Sequence, residues 1–298
     1  MLGSNEKTLL VYVDASGKQR DLNDFKNDHH VKRLYFKPDV MNALLATQEA
    51  RIEWKEKYNG KISSSSDSPL DFSTNDTGLI NAIAKDVAML PPPEKCIWAS
   101  HSYKLNDEMW EKVKKEQNKR VQLETHYGST QAPETLLFYT LDSINRVFRD
   151  KFEVVLFSGH DDLETFTRKI HRFRAVDEDG LRALAKDVVR RSIERMDKQN
   201  LLRALGENEA DLEPLEILEK LLIKHTGDEE QMVPLFELDS LGKVGAHSES
   251  SDVENYYASL GIDRQNSHVT QGVNLLQNVA NAFGVIDNDL EEYVTNRQ

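Results

Sequence analysis

The chain carries a single cysteine, Cys96, so no disulfide closes any loop within it. That usage fits a reducing compartment and predicts a cytoplasmic protein. Apolar runs are short, well under the ~18 residues of a membrane-crossing helix, so no membrane partner is expected. The glycine-rich phosphate loop, the dinucleotide fingerprint, H-E-x-x-H, C-x-x-C and G-x-S-x-G are all missing from the sequence. Their absence removes the commonest nucleotide, metalloprotease, redox and hydrolase assignments at motif level and predicts no cofactor, while leaving other enzymes open. Cations are scarce as well: 38 Lys and Arg face 51 Asp and Glu, a net charge of -13. Such a surface repels phosphate backbones, so nucleic-acid contact requires a local basic cluster. No internal repeat is present.

What remains is polar but foldable. Hydrophobic residues make up 39% of the 298 and charged residues 30%, with enough Leu, Val, Ile and Phe to build a core without metals or disulfides. Thr8 to Val13 predicts a strand, Asp14 to Lys18 a turn, and Val31 to Phe36 a second strand. Pro38 opens a helix that Val40, Leu44, Leu45 and Ile52 carry to about Tyr58. Residues 59–76, rich in Ser, Asn and Asp, predict a loop. Leu79, Ile80, Ile83, Val87 and Leu90 predict a short helix that Pro91, Pro92 and Pro93 stop. Cys96 to Ser102 reads as a buried strand, with Cys96 as packing. Asn106 or Asp107 caps a helix to Arg120 with Trp110 and Val113 inward.

Pro133 to Asp150 is an amphipathic helix on Leu137, Leu141, Ile144 and Phe148. Phe152 to Phe157 is the strongest strand signal, and Asp161 with Glu164 has capping-box spacing for a helix to about Phe173. Beyond Asp177, helices are expected near 178–198, 211–225, 228–244, 250–260, 265–285 and 287–295. The expected fold class is α+β: a small mixed α/β N-terminal part followed by a mostly α-helical bundle. Met1 to Ser4 reads as an expression scar, 5–174 as the mixed domain and 175–298 as the helical one.

Three clusters bear on chemistry. His160, Asp161 and Asp162 follow the predicted strand, where α/β proteins place functional groups. They read either as ligands for a divalent metal in a hydrolase or as a capped helix start. Arg168, Lys169, Arg172, Arg174, Arg190 and Arg191 form the basic cluster, interleaved with acids. It reads as a solvated helix face or as a surface for RNA or an acidic partner. His247 lies in the small-residue stretch Gly245-Ala246-His247 between two predicted helices, with Lys243 as the nearest upstream cation. A histidine there either packs a helix end or works as an acid–base group near neutral pH.

The stretch from Leu184 to Phe283 resembles the helical tail of an uncharacterised bacterial protein family. Val188 to Leu205, the acidic Leu-rich Pro214 to Leu222, Gly245-Ala246-His247, Ser259 to Asp263 and Gln271 to Phe283 carry the likeness. The turn at His247 also resembles the HEPN superfamily of helical domains, common in prokaryotic toxin–antitoxin and anti-phage systems. Many of its members are dimeric, metal-free RNases with an Arg-x4–6-His motif. His247 matches the motif's histidine, while its arginine position falls on Ser240, Leu241 or Gly242. The resemblance implies a helical interaction or dimerisation module of a bacterial defence or stress-response system, without catalysis of its own. Partners are then a second copy or a protein of the same system. A metal-free RNase using His247 with Lys243, and a metal-dependent hydrolase at His160, Asp161 and Asp162, stand as alternatives.

Overall fold

All of the described strands lie in the first of the two units into which the chain divides, Met1–Ala132. The computed structural model describes residues 11–13, 19–21, 32–47, 49–64, 69–116, 130–159, 161–207, 211–226, 230–244 and 250–295. In the first unit β1 (Val11–Val13) and β2 (Gln19–Asp21) pair antiparallel. Then β3 (Arg33–Phe36), β4 (Arg51–Trp54), β5 (Asn59–Ser63), β6 (Leu70–Thr74) and β7 (Ile80–Ile83) form an antiparallel sheet in the order β3-β7-β6-β5-β4. Side chains alternate across it, so Leu34, Ala82 and Phe72, paired in register, share one face with Phe36, Ile80, Ile62 and Ile52, and that face is buried. Gly60 sits opposite Phe72 because a Cβ there would lie 2.8 Å from the Phe72 ring and 2.9 Å from the Glu53 carbonyl.

Helices α1 (Asp39–Leu45), α2 (Ala84–Met89) and α3 (Pro92–Ser100) bury Val40, Met41, Leu44, Val87 and Trp98. Trp98 meets Phe36 edge-on at 4.7 Å. A further helix, α4 (107–116), starts with Asn106 accepting from the Met109 amide at 2.8 Å and turns Val113 inward.

Several expectations change here. The helix begun at Pro38 ends at Leu45, because Arg51 to Trp54 alternates and pairs with β5. The polar stretch 59–76 contains two strands, whose polar residues occupy every second position. Leu79 to Leu90 is strand then helix: β7 pairs on both sides, with β3 and β6, which accounts for its apolar run. Cys96 to Ser102 is helical through Ser100, with prolines in the first turn where the missing N–H costs nothing, and Cys96 is exposed. Thr8 to Leu10, Asp14 to Lys18 and 117–120 lie outside the described residues.

The second unit, Pro133–Gln298, is helical. It comprises α5 (Pro133–Phe152), α6 (Leu163–Lys169), α7 (Glu178–Arg191), α8 (Lys198–Leu205), α9 (Pro214–Thr226), α10 (Val233–Lys243), α11 (Ser250–Ser259) and α12 (His268–Thr295). The chain is therefore α+β, with its sheet in the N-terminal half and helices behind. Residues 133–174, assigned from sequence to the mixed front, belong to the helical unit. The core runs through Leu137, Ile144 and Phe148 of α5, Leu184 and Val188 of α7, and Leu276, Phe283 and Ile286 of α12, all essentially inaccessible. At Gly272, α12 approaches so closely that a Cβ would lie 3.0 Å from Ala175 Cβ and 3.2 Å from the Arg172 carbonyl. Among the described residues no helix is long and apolar enough to cross a membrane.

Phe152 to Phe157 is not a strand of a sheet. Helix α5 continues to Phe152, Glu153 turns it off at φ 55°, and an irregular strap follows with a single bridge from Phe157 to Met196. The strap's backbone is satisfied locally: the Phe157 amide donates to Asn145 Oδ1 at 2.8 Å, and the Asp197 and Ser158 amides join Leu156 and Arg195 carbonyls at 2.7 and 2.9 Å. Its apolar residues Val154, Leu156 and Phe157 are buried by helices instead. The helix expected over 178–198 stops at Arg191, and α8 is an extra element with Asp197 as N-cap and Gly206 (φ 75°) as C-cap. The two terminal helices expected from sequence are one, α12, whose buried Ile286 keeps the apolar stripe continuous.

Candidate functional site

The residues nominated for chemistry fall in the helical unit, and their short polar side chains meet backbone ends first. Asp162 is the N-cap of α6, accepting from the Thr165 amide at 2.6 Å. Hydrogen bonds from Thr165 hold its carboxyl below the ordinary range. The cap therefore belongs to Asp162, where spacing had suggested Asp161. Asp161 instead takes Arg191 and, at 3.4 Å, Arg195. Burial, and then the charge of Arg195 beside it, push the Arg191 guanidinium down from its usual value. His160 lies outside the described residues. Among the described residues no group of three His, Cys, Asp or Glu side chains is placed to hold a metal ion.

The basic cluster divides by environment. Arg172 is fully buried against Glu134: Glu134 Oε1 accepts from the Arg172 amide (3.0 Å) and Nε (2.8 Å), and Oε2 accepts from Nη2 (2.7 Å). Burial pushes the Glu134 carboxyl up, but the charge and hydrogen bonds of Arg172 outweigh it and leave the group below its ordinary value. His171 beside it is buried too, and burial takes its pKa down to about 3, so it is neutral at physiological pH. Arg174 and Arg190 share Asp187 at 2.9 and 3.7 Å. Arg168 and Lys169 close the last turn of α6. Lys243 ends α10 with its ammonium 2.6 Å from Asp239, which raises its pKa. His247 lies outside the described residues.

One polar network in this unit escaped sequence reasoning. Glu178, at the start of α7, accepts from the Tyr257 hydroxyl at 2.8 Å and from Arg264 at 2.5 Å, while the Arg264 guanidinium stacks 4.4 Å from the Tyr257 ring centroid. It ties α7, α11 and the turn before α12 together, and its members are 79 and 86 residues apart in sequence.

A second site lies wholly in the first unit, on the sheet face opposite the buried one. In register, Tyr35, Asn81, Ser73 and Asn59 form one row, and Ile83 and Asp71 stand beside it. Between the rows is an open groove of about 290 Å³. Arg33 reaches in from β3, its Nη1 donating to Asn81 Oδ1 at 2.6 Å, and Ser73 Oγ donates to the same oxygen at 2.8 Å. From the far side Lys55 donates to Asp71 Oδ1 at 2.7 Å, and Asn59 donates to Glu56 at 2.9 Å. The signal was present as polar residues at alternate positions in LDFST and INAI, hidden because both were assigned to other structure.

No protein-family model matches the chain, and no curated protein and no solved structure matches it.

Proposed function

We propose that the helical unit is an interaction and self-association module that does no chemistry of its own, serving a bacterial defence or stress-response system as its HEPN-like turn implies. One observation carries the reading. The side chains nominated for catalysis, metal binding and RNA contact are largely committed to partners within the unit: Arg172 to Glu134, Arg174 and Arg190 to Asp187, Arg191 to Asp161, Lys243 to Asp239. Asp161 and Asp162 hold the strap and cap α6 in the same way. Exposed Tyr139, Ile223, Val233 and Val285 supply apolar surface on four helices for a second copy to cover. Sedimentation velocity over a concentration series tests this, and a mass that rises to a dimer is expected. A monomer at every concentration overturns it, as does cleavage of an RNA pool in EDTA that His247→Ala abolishes.

A further inference from the structure

Helix α12 runs through a stretch without formal charge. No Asp, Glu, Lys or Arg stands between Arg264 and Asp287, in a chain whose residues are 30% charged. At ~100° per residue, Thr270, Asn274, Gln277, Asn281, Gly284 and Asn288 fall within ~60° of one line along this helix. All six are half-buried or exposed, whereas Leu276, Val279, Phe283 and Ile286 on the other side are buried. Their spacing alternates between four and three residues, which is the ~3.5-residue repeat of a two-helix seam. Along the stripe Gln277 Nε2 donates to Asn281 Oδ1 at 3.0 Å. At Gly284 the surface is open, since an added Cβ would meet nothing within 4 Å.

We propose that self-association of the helical unit, on which this reading rests, runs through this stripe: the α12 of a second copy lies antiparallel against it, about a two-fold axis near Val279. Charge selects the occupant. Two chains of net charge -13 repel each other, and their contact costs least where neither brings a charge. The centres of protein interfaces are poor in charged residues for the same reason. A strongly basic or acidic partner would find no counter-charge on the stripe. An amide face is matched by another amide face, because each side chain both donates and accepts. The antiparallel arrangement sets Gln277 opposite Asn281 of the second copy, Asn274 opposite Gly284, and Thr270 opposite Asn288. The Gln277 carbonyl can then accept from the facing Asn281 amide, and the two-fold repeats that bond. Asn274 fills the open surface at Gly284, whereas a parallel pair in register would set glycine against glycine and leave a gap. Val285, exposed beside the stripe, adds apolar area.

The test compares sedimentation velocity of the full chain with that of Asn281→Glu, which brings like charges together near the axis. The dimer dissociation constant is expected to rise at least about tenfold. Ellipticity at 222 nm should stay unchanged, because position 281 is exposed. Asn281→Gln should keep the wild-type constant, and Gln277→Lys repeats the test should Asn281→Glu misfold. Gly284→Met should weaken the dimer too, although the single chain has room for it and loses a helix glycine. Orientation is read in a Cys96→Ser background. Gln277→Cys mixed with Asn281→Cys should form a disulfide dimer faster than either variant does with itself, and faster self-linking overturns the antiparallel pairing. A wild-type dimer that Asn281→Glu and Gln277→Lys both leave intact overturns this surface while self-association stands. A wild-type chain that stays monomeric overturns both.

Discussion

Arg172 in the helical unit and Lys55 in the sheet unit each face a carboxylate at 2.7 Å, yet they sit in different solvents. Arg172 and Glu134 have at most 1% of their side chains exposed, whereas Lys55 and Asp71 have 47% and 57%. In the first pair two charges were taken out of water and each depends on the other. In the second, water competes with every contact, so either partner can leave without stranding the other. Similar ion-pair distances therefore report architecture in one unit and a solvent-exposed contact in the other.

Breaking the buried pair should have the largest effect. Glu134→Gln leaves the guanidinium buried without its counter-charge and is expected to lower stability by ~3–5 kcal/mol, measured by urea unfolding at 222 nm. Next comes Phe283→Ala, which empties a fully buried position of α12 and should cost about 3–5 kcal/mol, with the larger cost wherever the helices cannot close up. Gly272→Val presses into Ala175 Cβ and the Arg172 carbonyl and should cost ~1–3 kcal/mol by the same measurement. At the other end, Lys55→Ala should change stability by under about 1 kcal/mol, since exposed pairs contribute little. Glu153→Gly should act in the opposite direction, raising stability by about 0.5–1 kcal/mol, because glycine adopts φ 55° without strain.

Acid sharpens the contrast. His171 is depressed to about 3 in the folded chain, so below its unfolded pKa, near 6.5, the unfolded chain binds the proton and the folded chain does not. Stability then falls as pH drops from about 6.5 toward 3. Glu134, also depressed, adds a further loss below its ordinary range, as its stabilisation disappears when pH falls through its folded value. A pH series of unfolding midpoints should show this acid limb, and His171→Phe should flatten its upper part. The three tryptophans, Trp54, Trp98 and Trp110, all lie in the sheet unit, so their fluorescence reports that unit while ellipticity at 222 nm weights the helices.

How much of this was legible in the sequence depends on where the stabilising contacts lie. Helix α5 was readable because Leu137, Leu141, Ile144 and Phe148 form a stripe whose burial is a local pattern. Most helices of the second unit were readable for the same reason, but α8 was not, the helix at Glu178 was carried past its end at Arg191, and α12 was read as two. Strands β5 and β6 were not, because their polar half faces a groove, and serine, asparagine and aspartate composition alone cannot distinguish that face from a loop. The strap at Val154 to Phe157 has strand composition, but its neighbours in space are Asn145 and residues 195–197, which no local pattern reveals. For the candidate sites, residue identity was visible and commitment was not. Arg172 looked like the other cations of its cluster until Glu134, 38 residues earlier, was seen against it.

The division between structural and accessible charge is tested most directly by double-mutant cycles on the two pairs, Glu134→Gln with Arg172→Met and Asp71→Asn with Lys55→Met, read by urea unfolding. The predicted result is a coupling of at least ~2 kcal/mol for the buried pair and under ~1 kcal/mol for the exposed one. Single variants at Glu134 and Arg172 that unfold like the wild-type chain, with no coupling between them, would contradict it.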